Sequence, residues 1–89
     1  MSFEYDPAKS AVNKEKHGID FDAAQALWLD DRLLTIASKH MDEPRIVSIG
    51  KIDALLWTAV WTKRGANIRI ISVRRARKGE VTAYESQRF

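Results

Sequence analysis

The sequence predicts a single α+β domain over residues 1–89: two amino-terminal helices, a four-stranded antiparallel sheet and a carboxyl-terminal helix. Three observations predict it. The first third carries two capped segments with helical spacing. From Leu33 the apolar period drops to two. And 89 residues, 45% of them apolar with three Trp, supply one packed core and no second one.

Taken in order, Phe3-Glu4-Tyr5 alternates as a short edge strand does. Asp6-Pro7 reads as an N-cap followed by proline at the first helical position, which opens a helix over residues 8 to about 17, closed by Gly18 in the left-handed conformation. Ala8, Ala11, Val12 and the stem of Glu15 share one face of it. His17, in its last turn, is placed to cap the negative end of the helix dipole. Ile19-Asp20 repeats the logic: Asp20 caps, Phe21, Ala24, Leu27 and Trp28 recur at core-facing spacing, and Asp30-Asp31 ends the helix. Residues 33–38, 45–51, 54–62 and 67–74 are rich in β-branched and aromatic types and are joined by short polar loops, the pattern of an antiparallel meander. Leu56 and Val60 oppose Trp57 and Trp61 across one strand, so helices must cover one face while the other is partly covered or functional. Val81, Ala83 and Tyr84 mark a final helix over about residues 80–87, whose start Gly79 weakens.

Composition excludes several classes of chemistry. The chain has no cysteine, hence no disulfide, thiolate nucleophile or zinc–cysteine site, and two His cannot build a protein-only tetrahedral metal site; no cofactor is expected. The longest apolar stretch, residues 54–61, has eight residues against the roughly 20 a bilayer span needs. The opening residues lack the basic and apolar regions of a secretory signal, so a cytoplasmic protein is expected.

Charge divides between the halves. Residues 1–44 sum to −4 and residues 45–89 to +7; seven of the ten basic residues in the second half are Arg, and Arg69, Arg74, Arg75 and Arg77 lie within nine positions. Guanidinium binds phosphate bidentately and keeps its charge, so a polyanion such as RNA is one expected partner and a merely solvated basic surface is the other reading. Along 67–74, strict alternation puts Ile68, Ile70, Ser72 and Arg74 on one face and Arg69, Ile71, Val73 and Arg75 on the other. Arg64, in the preceding turn with Lys63, lies about 20 Å from Arg74 at ~3.3 Å per residue, which makes an arginine track rather than a point. Arg69 suits either phosphate or a snorkelling ion pair. His40 sits in a polar loop as a candidate acid or base. Glu80 and Tyr84 share a face of the last helix at i, i+4, and Tyr84 serves either proton transfer or anchorage. Trp57 and Trp61 suit a core, a stacking platform or, with Phe89, anchors for a partner segment.

Phe3-Glu4-Tyr5-Asp6-Pro7-x-Lys9, Asn13-x-x-Lys16-His17-Gly18-Ile19-x-Phe21, His40, Glu43-x-Arg45, Ile49-Gly50, Thr62-x-Arg64-Gly65 and Ile68-Arg69-Ile70-Ile71-Ser72-x-Arg74-Arg75-Ala76, followed by Glu80 and Tyr84, stand in this order along nearly the whole chain. Together they resemble the BrnT family of type II toxins, which are similar in fold to RelE-like ribonucleases. Val73, the short loop around Met41 and Gly79 depart from that pattern. The resemblance implies a metal-free endoribonuclease that inhibits translation by cutting mRNA, on or off the ribosome. It also implies neutralisation by a cognate ribbon-helix-helix antitoxin that binds DNA, in a hetero-oligomer. On that reading Arg64, Arg74 and Arg75 meet phosphate and transition-state charge, His40, Glu80 and Tyr84 are proton-transfer candidates, and Lys63, Arg69 and Arg77 bind RNA. A non-catalytic nucleic-acid-binding module using the same basic half is the alternative.

Overall fold

Both amino-terminal caps form as the sequence predicts. In the computed structural model, which describes residues 2–38 and 44–87, the Asp6 carboxylate accepts from the Ala8 amide at 2.9 Å and Asp20 from the Ala23 amide at 2.7 Å. Between them α1 (Pro7–His17) ends on Gly18 at φ 86°. The second helix is shorter than its periodicity suggests: α2 (Phe21–Ala24) makes one turn and continues as a 3₁₀ turn over Gln25–Leu29. Phe21, Ala24 and Leu27 recur at strict three-residue intervals and are all buried, and three residues per turn is the 3₁₀ repeat.

The sheet has five strands rather than four and is mixed rather than antiparallel. β1 (Ser2–Glu4), β2 (Leu34–Ser38), β3 (Arg45–Ile52), β4 (Leu55–Arg64) and β5 (Asn67–Arg75) lie in the order β1-β5-β4-β3-β2. β2 to β5 form the expected meander. The fifth strand is the amino-terminal edge segment, which pairs parallel to β5 from Ser2↔Asn67 to Glu4↔Arg69. Between the two, the chain runs through α1 and α2 to the opposite edge of the sheet and returns through β2, β3 and β4, which supplies the long connection that a parallel pair requires. The last helix, α3 (Lys78–Glu85), starts two residues before its expected first residue, and Gly79 lies inside its first turn.

α1, α2 and the 3₁₀ turn cover one face. Ile19, Phe21, Ala24 and Leu27 pack there against Trp57, Ala59, Trp61, Ile68, Ile70 and Val73. Trp28 joins Phe3 and Trp61 edge to face, with centroids at 5.0 and 6.0 Å, and the buried Trp61 indole donates to Ser48 Oγ at 2.8 Å. Gly50 faces this layer opposite Trp57. A Cβ there would lie 2.7 Å from a Leu33 methyl and 3.0 Å from one of Leu27. Gly50→Ala is expected to cost about 1–2 kcal/mol, since Leu33 can turn aside while Leu27 is enclosed; urea unfolding measures it.

β5 is irregular. Val60 pairs with Ser72 but Trp61 pairs with Ile70, so Ile71 is an extra residue, a β-bulge. The core explains it: Ile70 and Val73 are three apart, yet both are buried among the helices, and a regular strand would expel one of them.

Candidate functional site

That bulge decides which arginines share a face. On β4, Thr58, Val60, Thr62 and Arg64 alternate away from the core, and their Cα partners on β5 are Arg74, Ser72, Arg69 and Asn67. Directly opposed residues of an antiparallel pair point to the same side. Arg64, Arg69 and Arg74 therefore occupy the side opposite the helical layer. Strict alternation separates Arg69 from Arg74, and the extra residue reunites them. Arg75 falls on the helical side with Val73, its guanidinium 5.4 Å from the centre of the Trp57 ring.

α3 closes one end of this second face through Glu80. The Glu80 carboxylate takes both Nη groups of Arg74, at 2.7 and 2.9 Å, the Thr58 hydroxyl at 2.9 Å and the Arg77 amide at 2.8 Å. Arg77 is the N-cap of α3 and Glu80 its third residue, so the same carboxylate that fixes Arg74 also starts the helix. The Arg74 guanidinium, with the Arg77 amide and Thr58 hydroxyl, outweighs the cost of burial and holds the Glu80 carboxyl down at about 2; the ion pair raises the pKa of Arg74. Thr58 and Ile49, opposed on β4 and β3, are buried on this face. A third bond runs from Arg74 Nη1 to the Arg75 carbonyl at 3.3 Å. Among the described residues three of the five guanidinium hydrogens are thus used, which leaves one on Nη2 and that on Nε.

The other end of α3 is tied by Tyr84, whose hydroxyl donates to Asp30 Oδ2 at 2.7 Å. Asp30 also accepts from the Lys51 and Arg32 amides, and burial first, then the bond to Asp30, raises the Tyr84 pKa. Tyr84 is buried, in the anchoring position the sequence allows it.

The other candidates that the sequence singles out are spread along the sheet. Arg69 pairs with Glu4 of β1 at 3.6 Å, both side chains 36% exposed. Arg64 and Lys63 are exposed at the β4–β5 hairpin, where Gly65 at φ 61° makes the two-residue turn; at ~3.3 Å per residue they stand about 20 Å from Thr58 along the strand. Arg77 is exposed at the start of α3. His40 and Phe89 lie outside the described residues. Trp57 and Trp61 are 8% and 7% exposed in the core, which removes them as partner anchors or a stacking platform. Sequence reasoning missed Thr58, Asp30 and Asn13. Asn13 carries the strongest signal: it is an amide on α1 in a stretch otherwise explained by capping and charge. Its Nδ2 donates to the Ile19 and Val73 carbonyls at 2.8 and 2.9 Å, and its Oδ1 accepts from the Val73 amide at 3.2 Å.

A face that sets guanidinium groups at intervals along one strand can follow a phosphate chain. The family model of the BrnT ribonuclease toxin of type II toxin–antitoxin systems matches residues 5–80. The chain belongs to the BrnT family. No curated protein matches it. As a member of a toxin–antitoxin family of ribonucleases, this BrnT chain has RNA as substrate and a cognate antitoxin as partner. The stretch shared with the BrnT family includes Arg64, Arg69, Arg74 and Glu80, and Tyr84 falls just beyond it. Among the described residues no helix is long and apolar enough to cross a membrane.

Proposed function

We propose that this BrnT chain is a metal-independent endoribonuclease of RelE-like fold, with the α3-covered end of the open face as its active site. The bulge at Ile71 carries this reading, because it puts Arg69 and Arg74 on one surface. Metal-free cleavage needs a base for the 2′-hydroxyl, cations for the crowded phosphorane and an acid for the leaving 5′-oxygen. Arg74 supplies the central cation. Glu80 and Thr58 aim it and hold its remaining donors outward. Arg69 and, further along, Arg64 and Lys63 guide the flanking phosphates. The exposed Glu4–Arg69 pair is the kind that contributes little to stability and yields to a phosphate at little cost.

Proton transfer falls to His40. Glu80 is ionised and already accepts four hydrogen bonds, Tyr84 is engaged by Asp30, and imidazole titrates near neutrality. Cleavage of mRNA, with or without the ribosome, inhibits translation. Covering the cationic face by an acidic segment of a ribbon-helix-helix antitoxin that orders on binding silences it.

The test uses purified chain, a synthetic RNA and excess EDTA, with mass spectrometry of the ends. Expected products carry 2′,3′-cyclic phosphate and 5′-hydroxyl ends, at a rate that EDTA leaves unchanged. His40→Gln lowers that rate at every pH and flattens its rise through neutrality. Tight, salt-sensitive RNA binding without new ends establishes the non-catalytic alternative instead.

A further inference from the structure

α1 carries cations that serve no ion pair among the described residues. Lys9, Val12, Lys16 and His17 recur on one side of the helix and, with Ile71 and Ser72 of β5, line a pocket of about 380 Å³. Among the described residues none of Lys9, Lys16 and His17 meets a carboxylate, and Val12 between them is 60% exposed. An apolar wall ringed by uncompensated cations fits a ligand that is flat and apolar in one part and anionic in another.

Its position says which ligand. Ser72 is the open-face partner of Val60, and it stands on β5 between Arg69 and Arg74. The β1 pairing stops at Arg69, so at Ile71 and Ser72 the edge of β5 is where the arginine face turns over toward α1. A strand of RNA lying across Arg69 and Arg74 meets this pocket as it leaves the sheet. We propose that the pocket is a second RNA subsite, which holds a nucleotide flanking the scissile phosphate. Its phosphate lies against Lys9 and Lys16 and its base against Val12 and Ile71, with the His17 ring beside it. Cations along the backbone combined with a surface for the base are how single strands are held. The inference rests on the ribonuclease reading of the Arg74 face, which gives the strand its path.

The experiment uses the full chain and uncleavable 2′-O-methyl oligoribonucleotides of two lengths, one spanning the arginine face alone and one extending beyond it. Fluorescence anisotropy reads affinity over a range of salt. In Lys9→Ala/Lys16→Ala, both exposed positions, affinity for the longer RNA falls about tenfold and the logarithmic salt slope becomes shallower by about 1.4, two phosphates' worth. The long-to-short affinity ratio drops toward one. Lys14→Ala, outside the pocket on the same helix, keeps the wild-type values. In the wild-type protein the longer RNA shifts the amide resonances of Val12, His17 and Ile71. Unchanged affinity and slope in the double variant overturn the proposal, as does loss of antitoxin binding with RNA affinity intact, which gives the pocket to the protein partner. Failure of the ribonuclease reading shows differently: wild-type protein leaves cleavable RNA whole, while these binding measurements still report on the pocket.

Discussion

Arg74→Ala is expected to lower the rate constant for RNA cleavage by about a hundred- to a thousandfold, the range seen when one preorganised donor to transition-state charge is removed. The loss should fall on kcat, because Arg74 is held in place before substrate arrives and costs nothing to organise during reaction. Arg69→Ala, which removes an exposed guide, should act mainly on KM. Arg74→Lys keeps the charge but cannot make the two-pronged contact with Glu80, so it should recover little. Glu80→Gln separates positioning from chemistry. A carboxylate that only aims Arg74 gives a reduced rate with an unaltered pH profile when replaced, whereas a proton acceptor takes a limb of that profile with it. Single-turnover kinetics against pH distinguish the two, and equal cleavage by wild type and Arg74→Ala would sink the site.

The same pair makes the fold acid-sensitive. The Glu80 carboxyl is depressed from 4.5 to about 2 in the folded chain, so its contribution is complete above about pH 4.5 and is lost as pH falls toward 2. With side chains about a fifth exposed, solvent screening leaves about 1–2 kcal/mol of it. Urea midpoints measured between neutrality and pH 2 should fall less steeply in Glu80→Gln than in wild type.

Asn13→Leu is expected to destabilise the fold by about 3–5 kcal/mol, although it preserves size and adds apolar surface. Asn13 is 6% exposed, and its amide satisfies both carbonyls and the amide described above. Leucine offers none of these bonds, and each buried group left unpaired costs about 1–3 kcal/mol. Asn13→Asp should fare worse, since it turns an acceptor toward two carbonyl oxygens. Urea unfolding gives the size of the loss. Hydrogen exchange gives the place: the Val73 amide should lose protection beyond that of its neighbours on β5. A small loss, or one spread evenly, would mean that water replaces the side chain.

What the sequence made legible was local. Asp6-Pro7, Gly18 and Asp20 act through bonds within a few residues, so cap and stop fall where the residue types put them. The β-period of the meander is legible for the same reason. Relations across the sheet were not. The parallel pairing of Ser2–Glu4 depends on α1 and α2 carrying the chain to the far edge and on the meander bringing it back, and three residues carry no pattern that states a partner. The bulge at Ile71 arises from a demand of the core, that Ile70 and Val73 both turn inward, and nothing in Ile-Arg-Ile-Ile-Ser-Val-Arg-Arg marks which residue is extra. The arginine track was legible as a composition and misassigned as a surface for that one reason. Glu80 shows the same limit: its spacing to Tyr84 identified a shared helix face, but its partner is Arg74, on a strand.

The Asn13 amide also bears on how copies of this chain behave toward one another. Among the described residues β5 has no neighbouring strand on the β1 side beyond Arg69, and naked backbone of this kind is adhesive, recruiting strands from other molecules into growing assemblies. At Val73 the amide presents one donor and one acceptor to the bare rim, a counterfeit of the missing neighbour. Asn13 of α1 thereby occupies at Val73 the place that a further strand would take on this rim.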